Sequence, residues 1–340
     1  MAHPLEIDPA LSAGTVQRRA FATWLAAAAL PAGAQAVVSG RAVPRIAWAS
    51  GSRPDASSPF LAALRQGLAE AGRLEGRDFL LDAWWGDDSM ERLEPLVVEM
   101  LRSRPDLIVT QGPVILAVQR SRTPLPVLFA YSGDPVEAGL VDSLPRPGRN
   151  LSGISMLSLE LVGKRMQLLA DAVPGMRRLA LVSNPGHAGE RRELAASQAA
   201  AVTLGLEVSY LPLRGDAALD ETLQGALRAG CEGIVVFPDQ GMMRRSERFA
   251  AFAQQHRMPA TSGWAEFARR GNLMSYGPNI QQVFRRLGSY VDRVLKGTRP
   301  GDLPVELPVT IEHIVNLRSA RAMRLPLSRS LLLGADEVIE

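Results

Sequence analysis

Cysteine occurs once in this chain, at Cys231, so an internal disulfide is excluded and the lone thiol, just ahead of the strand-like run GIVVF, reads as a buried, inert group. Histidine is almost as scarce. His3, His187, His256 and His313 are scattered, with no i, i+4 pair, no HExxH and no cysteine partner, which leaves a zinc site or a Cys/His nucleophile without support. No GxSxG turn, GxxxxGK(S/T) loop or GxGxxG follows a strand-like run, and GSRPDASSP lacks the glycines that let backbone approach a pyrophosphate. Neither a cofactor nor a metal is expected. Clusters of Lys and Arg interleaved with aromatics are missing and the formal net charge is only +3, so nucleic acid is not an expected partner. A solenoid repeat is not evident.

What the chain does have is an ordinary globular composition, 46% hydrophobic and 21% charged over 340 residues, enough for two lobes that need no disulfide. The N-terminal stretch QRRAFATWLAAAALPAGAQA has the order of an export signal: a basic pair, an apolar run from Phe21 to Leu30, a Pro-Gly break and the small-residue site Ala34-Gln35-Ala36. The run is too short to span a hydrocarbon core of about 30 Å. Residues 1–36 therefore read as a signal peptide, with Arg18-Arg19 matching the twin-arginine pattern, and the mature chain as a periplasmic protein starting near Val37. No cysteine closes the signal, so a lipid anchor is not expected.

From Arg45 onward, apolar runs of strand length alternate with stretches of helical spacing: RIAWAS, FLLDAWW, DLIVTQG and VLFAY, then LALVS, LEVSYLPL, GIVVF and NLMSYGP. The absence of hairpin signals between them predicts parallel sheets covered on both faces, an α/β fold of two doubly wound lobes. At the centre stands VLFAYSGDPVEAGLVDSLPRPGRNLSGIS. Its apolar start is a buried strand, its Ser132-Gly133-Asp134 lies at the strand's carboxyl end, where open α/β sheets bind ligands, and its Pro-Gly-rich segment 145–150 reads as the approach to a hinge.

The string DPVEAGLVDSLPRPGRNLSGIS, the following ELVGKRMQLL and the terminal LLLGADEVIE resemble the family of ABC-transporter substrate-binding proteins that includes binders of aromatic amino acids, with similarity from about Arg45 to Glu340. The resemblance implies the type I periplasmic binding fold, with lobes joined by a multi-strand hinge. It places residues 45–152 plus 278–302 in an N-terminal lobe and 153–277 plus 303–340 in a C-terminal lobe. Asn150–Ser158, Gly277–Ile280 and Arg299–Pro308 are the expected hinge segments. The partners it implies are a small-molecule ligand and a membrane ABC permease with its ATPase, the binding protein itself being a monomer and not an enzyme. An exported Rossmann-like enzyme and a sensor docking on a membrane receptor are the alternatives.

Strand ends supply the candidate ligand-binding residues: Ser50 and Ser57 after the first strand, Thr110 and Gln111 after the third, Ser132 and Asp134 after the fourth. The second half offers Asn184, Asp239, Trp264 and Tyr276. Hydroxyls, an amide, carboxylates and aromatics suit a small ligand with polar ends and a flat body. We read that ligand as an amino acid or similar zwitterion, its carboxylate met by Ser57, Thr110 and Ser132 and its ammonium by Asp239. Local roles compete: Asp134 and Asn184, each before a proline, can cap turns, Asp239 can cap a helix beginning near Met242, and Trp264 can be core.

Overall fold

The fold is described from a computed structural model, for residues 43–53, 59–87, 89–157 and 159–340. The export signal, Ser57 and the Ser158 end of the first expected hinge segment lie outside the described residues. The chain opens with β1 (Arg45–Ser50), α1 (Pro59–Glu70), β2 (Leu80–Trp85), α2 (Leu93–Arg102), β3 (Leu107–Gln111), α3 (Val114–Arg120), β4 (Val127–Tyr131) and β5 (Leu151–Ser155). These strands form one parallel sheet in the order β2-β1-β3-β4-β5. β3, β4 and β5 are buried along their whole length, and in β4 that burial shows in the sequence as a continuous apolar run without alternation.

The second lobe follows: α4 (Val162–Ala172), β6 (Arg178–Ser183), α5 (Glu190–Leu204), β7 (Glu207–Pro212), α6 (Leu219–Arg228), β8 (Gly233–Val236), α7 (Gln240–Arg244), α8 (Ser246–His256), β9 (Ala260–Ser262), α9 (Ala265–Arg269) and β10 (Met274–Pro278). Next come α10 (Ile280–Leu295), β11 (Ile311–Asn316), α11 (Leu317–Ala322), α12 (Arg329–Leu333) and β12 (Glu337–Ile339). The second sheet runs β12-β11-β10-β9-β8-β6-β7. Here the expectation of a wholly parallel sheet fails: β11 pairs antiparallel with β10, Tyr276 opposite His313, because the chain re-enters this lobe from the far side after α10.

α10 itself packs on the first lobe. Asn279 caps it by accepting from the Gln282 amide at 2.9 Å, and its apolar stripe Val283, Phe284, Leu287 and Val291 is buried. Phe284 meets Trp48 of β1 edge-on at 5.2 Å and stacks on Phe60 of α1 at 5.1 Å. Gly67 and Gly288 let α1 and α10 touch backbone to backbone, since a Cβ on Gly67 would stand 1.9 Å from the Arg285 carbonyl oxygen.

Three strands of chain thus join the lobes: after β5, between β10 and α10, and from Leu303 to Thr310. All three expected hinge segments contain more regular structure than the sequence suggests, the third including a 3-10 turn at Pro300–Asp302. Leu151–Ser155 is β5, hydrogen-bonded to β4, and the division expected between residues 152 and 153 falls inside it. Gly153 makes that pairing possible, because a Cβ there would lie 2.0 Å from the Phe129 carbonyl oxygen. Between β10 and α10 only Asn279 is irregular. Glu306 adds a rung beside β5, its amide donating to the Gly153 carbonyl and its carbonyl accepting from Ser155.

Candidate functional site

The carboxyl ends of β1, β3 and β4 face those of β6 and β8 across the gap between lobes, and the side chains there meet in this structure. On the first-lobe side Ser50 Oγ accepts from Gln111 Nε2 at 2.6 Å and from the Ser52 amide at 3.1 Å, a buried pair at the floor. Ser132 Oγ lies 2.9 Å from His187 Nε2 of the other lobe, and the His187 ring sits 5.9 Å from that of Tyr131.

The second-lobe wall is more heavily charged than the sequence reading allowed. Glu190 and Glu193, one turn apart at the start of α5, are both buried. Glu190 Oε1 accepts from Ser183 Oγ at 2.8 Å and from the Tyr210 hydroxyl at 2.6 Å. Glu193 Oε1 accepts at 3.1 Å from Arg165 Nη1, and Arg165, only 2% exposed, donates its Nε to the Tyr276 carbonyl. Asp239 ends the loop after β8, 6% exposed, with Oδ1 accepting from the Met242 amide at 2.7 Å. Among the described residues, no other donor reaches the Asp239 side chain.

These carboxyl groups set the field in the gap. Burial pushes the Tyr131 hydroxyl up to about 12, and the Asp239 charge adds to the shift from across the gap. Burial holds His187 below the usual imidazole range, although Asp239 and Glu190 pull it upward, so the ring is neutral at pH 7. Burial also raises Glu193 to about 7 against the opposing attraction of Arg165.

The Glu193 value lies above the ordinary 4.5, so between those limits the native state binds more protons than the unfolded one. Its stabilising contribution is full below about pH 4.5 and is lost as pH rises through about 7. We therefore expect the stability difference between the parent protein and Glu193→Gln to shift against the parent from about pH 5 to about pH 8. Urea unfolding at several pH values checks this, and a pH-independent difference would contradict it.

Thr110 is fully buried with an unpartnered hydroxyl, on the pleat face of Ile108, which packs in the apolar cluster beneath α2 and α3; it is therefore core rather than gap lining. Asp134 Oδ1 caps its own turn, accepting from the Val136 and Glu137 amides at 2.8 and 3.0 Å, and its carboxylate pairs with Arg192. Asn184 Oδ1 accepts from the Gly186 amide at 3.1 Å, a local turn. Trp264 is buried in an apolar cluster with Met242, Phe249 and Phe267. Tyr276 turns away from the gap: its ring meets His313 edge-on at 6.0 Å and lines a cavity of about 520 Å³ with Lys164 and Ser328.

Arg165, Tyr131, His187, Glu190, Glu193 and Tyr210 are the residues that sequence reasoning missed. The one usable signal was the Glu190/Glu193 pair, three residues apart after SNPGHAG, which puts both on one helix face.

Comparison with known proteins supplies a context for this geometry. A family model described as ABC transporter substrate binding protein matches residues 55–339. The tyrosine-binding protein of Clostridioides difficile (strain R20291) is 22% identical over 259 residues, 75% of this chain and 74% of that one. Among solved structures, an ABC domain in complex with L-Trp from Streptococcus pneumonia superposes with a TM-score of 0.80 at 20% identity, covering 88% of this chain and all of the other. A conserved domain protein from Vibrio cholerae gives a TM-score of 0.78 at 23% identity over 87% of this chain and 100% of its own.

Proposed function

The chain belongs to the family of ABC transporter substrate-binding proteins, and on that premise we propose that it is the exported, periplasmic component of an importer that captures an aromatic amino acid between its two lobes. The captured ligand passes to a membrane permease driven by its ATPase. Closure of the lobes around the ligand is the signal the permease reads, a population shift driven by contacts that exist only when both lobes meet.

The observation that carries the ligand class is Asp239. Its carboxylate is buried at the gap, uses one oxygen to cap α7, and projects a negative field onto Tyr131 of the opposite lobe. A buried anion of this kind calls for a cation, and an amino acid brings one in its ammonium group. Glu190 and Glu193 reinforce the field on the same wall. At the other end Gln111 and Ser132 are the donors we assign to the ligand carboxylate. The rings of Tyr131 and His187, their centroids 5.9 Å apart, are the aromatic surfaces we assign to a flat side chain. The relatives named for tyrosine and solved with L-Trp agree with an aromatic body.

Thermal unfolding in the presence of each amino acid tests the proposal. A ligand at 100 times its dissociation constant adds about 2.7 kcal/mol to the folded state, and each kcal/mol raises the midpoint of a unit this size by about 2–4 °C. L-tryptophan or L-tyrosine should produce such a rise, whereas indole-3-propionate and 3-(4-hydroxyphenyl)propionate, which lack the ammonium, should not. A deaminated analogue as effective as its amino acid would overturn the ligand assignment.

A further inference from the structure

We propose that closure is held by a seam between residues 132–137 of the first lobe and 187–192 of the second, in which the Asp134–Arg192 pair is a latch separate from the ligand-binding cluster. The proposal deepens the capture reading above and rests on it for its ligand arm alone.

The seam is built from backbone as well as side chains. The Asp134 amide donates to the Ala188 carbonyl at 3.1 Å, a direct bond between lobes. Glycines on both sides allow it: a Cβ on Gly133 would lie 2.6 Å from the Ala188 oxygen, and one on Gly189 would lie 3.0 Å from the Asp134 nitrogen. Gly189 also holds a φ of 89°, which favours glycine independently of the contact. Around this bond stand the Ser132–His187 hydrogen bond and two ion pairs, Asp134 with Arg192 and Glu137 with Arg191 at 3.3 Å.

The two pairs differ in what they can do. Arg191 is 85% exposed, so its pair with Glu137 is screened and contributes little. Asp134 is only 7% exposed while Arg192 is 55% exposed, so the acid is desolvated by closure and depends on the guanidinium that arrives with the other lobe. Oδ1 of Asp134 is already committed to its own turn, and Arg192 takes the carboxylate's other oxygen. Both oxygens of Asp134 are thus engaged, one by its own turn and the other by the opposite lobe. Its role is to position the lobes.

Nitroxide labels at the exposed positions Val98 and Val202, one on each lobe, in a Cys231→Ala background, report the interlobe distance by electron–electron resonance. In the ligand-free protein, Arg192→Ala should move the distribution toward longer separations and Arg192→Lys should retain most of the parent's. With L-tryptophan and L-tyrosine as probes, Arg192→Ala should weaken binding about tenfold through faster dissociation at an unchanged association rate. Distance distributions identical in Arg192→Ala and parent overturn the latch. Lost affinity with an unchanged distribution overturns it too, because Arg192 would then act on the ligand. If neither amino acid binds the parent, the capture reading fails while the distance comparison still decides the seam.

Discussion

Asp239→Asn should lose about 3–5 kcal/mol of affinity for an aromatic amino acid, a weakening of at least about 100-fold, while the protein remains folded. The two halves of this expectation rest on the two oxygens of one carboxylate. Oδ1 accepts from the Met242 amide and caps α7, a task the Asn side-chain carbonyl performs about as well. The charge, by contrast, is irreplaceable, because an ammonium brought into the closed gap needs an anion and an amide supplies none. The neighbouring acids are poorer substitutes: Glu190 Oε1 is occupied by Ser183 and Tyr210, and Glu193 Oε1 by Arg165. Calorimetric titration with L-tryptophan and L-tyrosine, paired with thermal unfolding of the free variant, measures both halves. Unchanged affinity in a folded Asp239→Asn would transfer the ammonium to another site or remove it from the ligand.

Much of the fold was legible because central parallel strands, buried on both faces, appear as uninterrupted apolar runs; VLFAY and GIVV needed no tertiary information. Leu151–Ser155 was obscured by Gly153, which resembles a loop residue in sequence but acts in space to let β4 and β5 approach. The antiparallel β11 was illegible for a different reason. IEHIVN follows a proline-rich connector, and its direction depends on α10 having first crossed to the other lobe. The site divided along the same line. Strand-end residues such as Ser50, Gln111, Ser132 and Asp239 were visible because position in an α/β unit predicts where they face. The charged residues Arg165, Glu190 and Glu193 sit on helices, where sequence alone suggests a solvated face, and only the packing of α4 against α5 buries them together. Asp134 and Asn184 precede prolines, and the turn-capping role available to each is the one their side chains adopt.

Arg165→Met should destabilise the protein by about 3–5 kcal/mol near pH 8.5, with a smaller loss near pH 5.5. The guanidinium is buried beside Gly263, ties α4 to β10 through the Tyr276 carbonyl, and faces Glu193 of α5. Removing it at alkaline pH leaves a buried carboxylate without its counter-charge, a larger penalty than the value of the pair itself. In acid the situation changes, since Glu193, already raised to about 7 by burial, carries a proton and has less to lose. What remains there is the lost hydrogen bond to Tyr276 and the packing of the arginine stem. The double variant Arg165→Met/Glu193→Gln should therefore recover most of the alkaline loss and little of the acid one. Urea unfolding of the parent, both single variants and the double variant at the two pH values makes the comparison. Equal destabilisation by Arg165→Met at both pH values would mean that Arg165 acts through packing alone and that Glu193 takes no part in the charge balance of the second-lobe wall.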